Sequence, residues 1–454
     1  MKDMTEGSVI RHLLHMAAFM AVSMLMQTLY LLADLYWVGR LGREAIAAVG
    51  VAGNLTMIVM ALTQTLSVGT TTLLAQAAGR KDQPSAERTF NQSLVMSLLV
   101  GLGFVAIGFL LRDRYCNALS ADAATAALAK QYLNWFIPGL AAQFPLVSLG
   151  AALRATGIIK PAVGLQVLSV LLNIVLAPLF IFGVGPFPRL GVSGAALATF
   201  ISIVIADVLM VGYFNRYYQY LRFRAAQWRP QFQIWWAMLK IGLPAGAEFA
   251  LWTLYAMLVY AIIRPFGAAA QAGFGVGMRV MQAMFLPVVA LSFSVGPVVG
   301  QNYGGRRADR VRHAVFAALG ITSAIMLVLT LVAWLAAPKL IRPFSSDRDV
   351  IAYGSEYLMI VSLNFLASGI TFSSSSVFQG IGNTIPPLLS TASRLLLFAV
   401  PALWLSRMPG FQIRHVWYLS VASQVLQACF NLLLLRRELG RKLKFDDMPA
   451  AIAA

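Results

Sequence analysis

The sequence predicts an all-α integral membrane protein of twelve transmembrane helices in two pseudo-symmetric six-helix bundles. Three observations carry this. Of 454 residues, 59% are hydrophobic and 11% charged, whereas soluble domains carry about 25% charge. Apolar runs long enough for spanning helices, which need roughly 20 residues, recur along the whole chain. The chain also repeats itself at a constant offset of 225 residues.

The runs fall at 13–38, 46–76, 90–111, 131–153, 162–183, 193–213, 239–263, 268–300, 313–337, 355–378, 388–406 and 416–435. The first is longer than a signal-peptide core, so no cleavable signal is expected. An even number of spans puts both termini on one side. Of the 35 lysines and arginines, 21 lie in segments on that side and 12 on the other. That bias predicts cytoplasmic termini and a multi-pass protein of the cell (inner) membrane. The net charge of +18 sits in short loops, which excludes nucleic acid as a partner and leaves the lipid bilayer. Cys116, Cys429 and the four histidines, His12, His15, His313 and His415, show neither disulfide nor metal spacing. No metal, no cofactor and no enzymatic motif are expected.

The longest polar break divides the chain. Residues 1–214 are expected to form a first six-helix lobe, 215–238 a cytoplasmic linker, 239–437 a second lobe and 438–454 a cytoplasmic tail. The aromatic and basic residues of the linker suit a segment lying on the inner headgroups. A plain solvated loop is the equal alternative. Either side of it, Thr28-Leu29-Tyr30 returns as Thr253-Leu254-Tyr255, Gly42 as Gly267, and Gln76 and Gly79 as Gln301 and Gly304. Tyr132-Leu133 returns as Tyr357-Leu358, and Gly157 and Pro161 as Gly382 and Pro386. Six spans per half make a parallel repeat about an axis along the membrane normal. Transporters of that build hold their sites at the interface of the halves or in the lobes beside it.

The polar side chains of the first span, Ser23, Gln27, Tyr30 and Asp34, are spaced 4, 3 and 4, which puts them on one helical stripe. The offset maps them onto Glu248, Trp252, Tyr255 and Val259. Each stripe therefore carries one acid, at a different depth. A charged carboxylate at membrane depth is costly and is retained against a cavity or a partner. Asp34 is read as functional, against an interfacial ion pair with Arg40 or Arg43. Glu248 divides evenly between a functional acid and a structural one paired with Arg279. Arg279 and Arg394, also inside spans, are read as ties between helices, and Asp207 as interfacial. Gln27, Tyr30, Trp252 and Tyr255 are expected to line a central substrate cavity, where aromatic faces attract organic cations.

The segment Ala33-Asp34-Leu-Tyr-Trp-Val-Gly39-Arg-Leu-Gly42, the Gly79-Arg-Lys-Asp and Leu153-Arg-Ala-Thr-Gly157 turns, Asn173 with Pro178-Leu-Phe-Ile-Phe-Gly183, and Gly191-Val-Ser-Gly-Ala-Ala-Leu-Ala-Thr199 together resemble the MATE family of multidrug and toxic compound extruders. Gly275-Val-Gly-Met-Arg279 and Val299-Gly-Gln-Asn-Tyr-Gly304 resemble its DinF-like branch most. The resemblance implies a monomeric, two-lobed antiporter that exports amphipathic, often cationic compounds against inward H⁺ or Na⁺. It implies that Asp34 binds the coupling cation with help from Asn173, and that Na⁺ would sit at Asp34, Asn173 and Thr199. Asn173, Gln27 and Thr199 could equally serve as interhelical hydrogen bonds. Two features depart from the family. Ala177 stands where an Asp often precedes the proline of the fifth span, which weakens a two-acid Na⁺ site. The first span has no Pro or Gly between residues 8 and 38, so a proline-driven bend cannot operate. Proton coupling is the reading adopted, with Glu248 as a second coupling acid. The alternative, a flippase for a lipid-linked precursor on the related two-lobed fold, would need a strongly basic interior.

Overall fold

The computed structural model describes residues 1–445, and among them there is no strand. That follows from the apolar runs: in hydrocarbon a backbone must satisfy its own hydrogen bonds, and a helix does so within one segment. The helices are α1 (Val9–Gly39), α2 (Arg43–Gly79), α3 (Gln83–Leu119), α4 (Ala123–Ala155), α5 (Lys160–Phe182), α6 (Val192–Arg216), α7 (Phe232–Ile263), α8 (Ala268–Gly304), α9 (Ala308–Ile341), α10 (Arg348–Val361), α11 (Phe365–Gly380), α12 (Ile385–Leu405) and α13 (Ile413–Lys442). A 3₁₀ turn at Ser362–Asn364 joins α10 and α11 into one span. Twelve helices are thus long and apolar enough to cross a membrane.

The repeat extends to helix ends. Adding 225 to Arg43–Gly79, Gln83–Leu119 and Ala123–Ala155 gives Ala268–Gly304, Ala308–Phe344 and Arg348–Gly380, the bounds of the corresponding spans. Turn conformations recur as well. Lys81 and Arg306 both take left-handed backbone, with φ of 61° and 54°, a region non-glycine residues rarely enter. The helices outrun the apolar runs. α3 begins at Gln83 because the carboxylate of Asp82 accepts from the Ser85 amide at 3.1 Å and Pro84 occupies its first turn.

The chain packs as two compact units. One holds Met1–Asp3 and Val22–Gly246, the other Met4–Ala21 and Ala247 onward. α1 therefore starts in the second unit and ends in the first, and α7 does the reverse. In the first unit the early turns of α7 lie against α2 with almost no separation. A Cβ on Gly242 would stand 2.1 Å from the Thr65 carbonyl oxygen, and one on Gly246 2.7 Å from that of Ala61. Only glycine permits this approach. In the second unit the Met4 amide donates to Gln301 Oε1 at 2.9 Å, and Arg310 donates to the carbonyls of Met4 and Gly7 at 3.2 and 2.9 Å. The core of this unit is aromatic, with buried Trp417 stacked on Phe274 at 5.6 Å.

The linker is held against α3 at several points, and most of its side chains remain exposed. Two side chains of α3 grip its backbone and a third pairs with an arginine side chain. Asn91 Nδ2 donates to the Arg222 carbonyl at 2.9 Å, while Asn91 Oδ1 accepts from the Arg224 amide at 3.0 Å and from Trp228 Nε1 at 3.1 Å. Gln92 donates to the Arg229 carbonyl at 2.8 Å, and Glu87 pairs with Arg224 at 2.6 Å. Tyr218 and Leu221 are buried, and Phe223 packs on Phe90, so these aromatics serve the core; Tyr217 and Trp228 remain exposed. Of the tail expected over 438–454, residues to Lys442 continue α13, and 446–454 lie outside the described residues.

Two outcomes follow. Asn91→Ala should free the linker, so limited trypsin treatment should cut at Arg222, Arg224 and Arg229 far faster than in wild type; equal rates would show that the clasp does not hold it. Gly242→Ala should lower stability by about 1–3 kcal/mol through overpacking against α2, read as an earlier melting transition in detergent.

Candidate functional site

The first unit gathers Tyr30, Asp34, Asn173 and Thr199. α1 runs unbroken from Val9 to Gly39, so the 4-residue step keeps Asp34 one turn above Tyr30. The hub is the hydroxyl of Thr199 on α6. It donates to the Ala195 carbonyl at 3.2 Å and accepts from Asn173 Nδ2 at 3.0 Å. Its one proton being spent, the 3.1 Å contact with Tyr30 makes the phenol the donor. Asp34 and Asn173 are buried, 8% and 2% exposed, and Asp34 Oδ1 and Asn173 Oδ1 have no hydrogen-bond partner. Tyr30 and Tyr132 of α4 stand within the electrostatic reach of Asp34. No ion pair among the described residues involves Asp34. Arg40 instead bonds Tyr36 and stacks over it and Trp37, so the interfacial pairing is not made. Ser23, at the start of the stripe, is buried against Gln166. Gln27 is exposed. The site thus presents two acceptor oxygens without donors beside a fixed hydroxyl network, chemistry suited to a cation or a proton.

The second unit centres on Glu248, which is partly buried. Its Oε1 accepts from Ser375 of α11 at 3.0 Å and from Thr391 of α12 at 3.3 Å, and Gln427 of α13 donates to Thr391 at 3.0 Å. Arg279 is exposed and makes no ion pair with it. Tyr255 and Ser420 share a hydrogen bond of 2.7 Å, and the buried guanidinium of Arg394 lies 4.3 Å over the Tyr255 ring. Arg394 thus ties α12 to α7 through the face of the Tyr255 ring. Trp252 is half-buried against Phe372, 4.7 Å between ring centres. Asp207 is partly buried on α6, its Oδ1 without a partner.

Sequence reading missed Tyr132, Gln166, Ser375, Thr391 and Gln427. The repeat could have found some: Ser23–Gln166 and Glu248–Thr391 are the same pair of positions at offset 225.

Among the described residues, twelve spans whose helix bounds recur at one offset have the build of a two-lobed membrane transporter. The family model MatE matches residues 20–179 and 244–405, one block in each half. The chain belongs to this family. It is 27% identical over 416 residues to the probable multidrug resistance protein YpnP of Bacillus subtilis, covering 91% of this chain and 90% of the relative. It is 26% identical over 371 residues to an FAD transporter of Shewanella oneidensis, covering 82% of each. A solved outward-facing multidrug resistance transporter of the MATE family is 26% identical, with a TM-score of 0.89 over 97% of this chain and 98% of that one.

Thr199→Val keeps the shape of the hub but strands the buried Asn173 donor, at about 1–3 kcal/mol, and the half-buried phenol of Tyr30. An earlier melting transition is expected, restored by Thr199→Ser. A valine variant as stable as wild type would show that the network is not formed.

Proposed function

We propose that the protein is a secondary active antiporter that exports amphipathic, cationic organic compounds in exchange for inward protons. One observation carries this reading: Asp34 is buried with an unpartnered oxygen and no basic neighbour in ion-pair contact. A carboxylate so placed is costly when charged. It gains by accepting either a proton or a cargo cation, and it cannot hold both. Binding of one therefore favours release of the other, which is the exchange an antiporter needs. Each inward proton gains about 2.3 kcal/mol per 100 mV of membrane potential. Glu248, with its two hydroxyl donors, is the second coupling acid. Ala177 offers no second carboxylate beside Asp34, which favours H⁺ over Na⁺ held by Asp34, Asn173 and Thr199. Gln27, Tyr30, Trp252 and Tyr255 meet the cargo. Since Arg394 already covers Tyr255, cation–π attraction of about 0.5–2 kcal/mol falls mainly to Trp252 and Tyr30. The chain works as a monomer in the cell membrane, both termini in the cytoplasm, as the Lys/Arg bias supports. The multidrug names of its relatives support this class of cargo.

Efflux of a cationic dye from membrane vesicles, with H⁺ and Na⁺ gradients imposed separately, tests the reading. Asp34→Asn should abolish efflux while the protein still inserts, and full activity in that variant would remove the site. Efflux driven by a Na⁺ gradient alone, with no pH gradient and no potential, would refute proton coupling. Export of FAD but not of the dye would overturn the cationic cargo. Trp252→Ala should change which compounds are exported and leave the ion dependence intact.

A further inference from the structure

The last helix carries a polar stripe that the coupling acids alone do not explain. Ser420, Gln424, Gln427, Asn431 and Glu438 follow one another at steps of 4, 3, 4 and 7 along α13, so they share one face. All five are buried, with Asn431 0% and Gln427 1% exposed. The stripe starts beside Tyr255 at Ser420, meets the Glu248 group through Gln427 and Thr391, and runs to the C-terminal end of the helix. There Glu438 accepts from Asn383 at 2.8 Å and pairs with Arg441 and Lys442. From Gln427 to Glu438 the rise is about 16 Å at 1.5 Å per residue.

Several groups along this line have no protein partner. They are both polar atoms of Asn431 and Oε1 of Gln427. Leaving them dry would cost about 1–3 kcal/mol apiece. The fold does not demand them. At offset 225 the same face of α6 reads Ala195, Thr199, Ser202, Ala206 and Tyr213. Thr199 and Ser202 bond their own helix through the carbonyls of Ala195 and Ala198, and Ala206 stands where Asn431 does. Where α6 carries hydroxyls bonded to its own carbonyls and an alanine, α13 carries amides.

We propose that the α13 stripe holds a file of internal waters that conducts protons between Glu248 and the solution at the Glu438 end. This rests on the antiport reading above. Buried waters settle where two to four polar partners converge, and amides supply both donors and acceptors. Each hop breaks one O–H bond and makes the next. Glu248 gives its proton to the first water and becomes a carboxylate, and a water at the far end releases one to solution. The charged groups buried beside the route are Arg394 on α12 and Glu438 on α13. Arg394 lies over Tyr255, at the opposite end of the stripe from Glu438.

Asn431→Leu, close in volume and unable to bond water, tests this in inverted membrane vesicles. Proton-driven efflux should fall about tenfold or more as the file is interrupted, while equilibrium cargo binding stays at the wild-type level. Asn431→Ser should recover most of the rate. In a Cys116→Ala, Cys429→Ala background, Asn431→Cys should react with a small water-soluble cationic thiol reagent. Wild-type efflux in Asn431→Leu, or no labelling of Asn431→Cys, would overturn the proposal. A dry, purely structural stripe would also show itself as a higher melting temperature in the leucine variant. Wild-type efflux in Asn431→Leu with none in Glu248→Gln would remove the water file and leave the antiport reading standing. A wild-type protein without proton-driven efflux would remove that reading, and the labelling arm would still decide whether the stripe is wet.

Discussion

The structure turns on a buried carboxyl group, Asp34, that has no counter-ion among the described residues. Removing a charge from water costs several kcal/mol unless a partner offsets it. Asp34 is 8% exposed, and neither Arg40 nor any other basic residue pairs with it. The groups around it bond one another rather than the carboxyl. α1 has no proline or glycine to bend it between residues 8 and 38. Thr199 locks Tyr30 and Asn173 through its single hydroxyl, and Asn173 keeps one oxygen unspent.

The two halves share contacts and differ in chemistry. Helix ends, left-handed turn residues and side-chain pairings recur at one register, down to Ser23–Gln166 against Glu248–Thr391. Tyr30 bonds a hydroxyl on α6, and Tyr255 bonds one on α13. Yet Asp34 faces Val259 in the alignment of halves, Asn173 faces Phe398, and Ser169 faces Arg394. A repeat preserves backbone geometry because packing tolerates little change in volume. It leaves polarity free wherever a neighbour can satisfy the new group. That freedom puts one acid high on α1 and the other lower on α7.

The division of the structure into units follows close approach rather than the polar linker. The first half of α1 joins the second unit, and the first turns of α7 join the first. Gly242 and Gly246 explain the latter, because only glycine lets α7 reach the carbonyls of α2. The linker acts as a tether clasped by Glu87, Asn91 and Gln92. A segment rich in arginine and tyrosine reads as interfacial from composition, and the contacts that hold it come from three side chains more than 130 residues away.

Much of the fold was legible in the sequence because the membrane makes it so. Hydrocarbon forbids unsatisfied backbone, so run length alone yields the helices, and the 225-residue register yields the two halves. Asp34 was legible too, since an acid among Met, Leu and Ala is conspicuous without any structure. Hydrogen-bond partners were not. Whether Asn173 bonds Thr199 or Asp34, whether Arg394 meets an acid or the ring of Tyr255, and whether Arg279 reaches Glu248 depend on helix rotation and tilt. Those are set by packing between segments distant in sequence, and they decide which buried polar atoms are satisfied and which, like Asp34 Oδ1, are left without a hydrogen-bond partner.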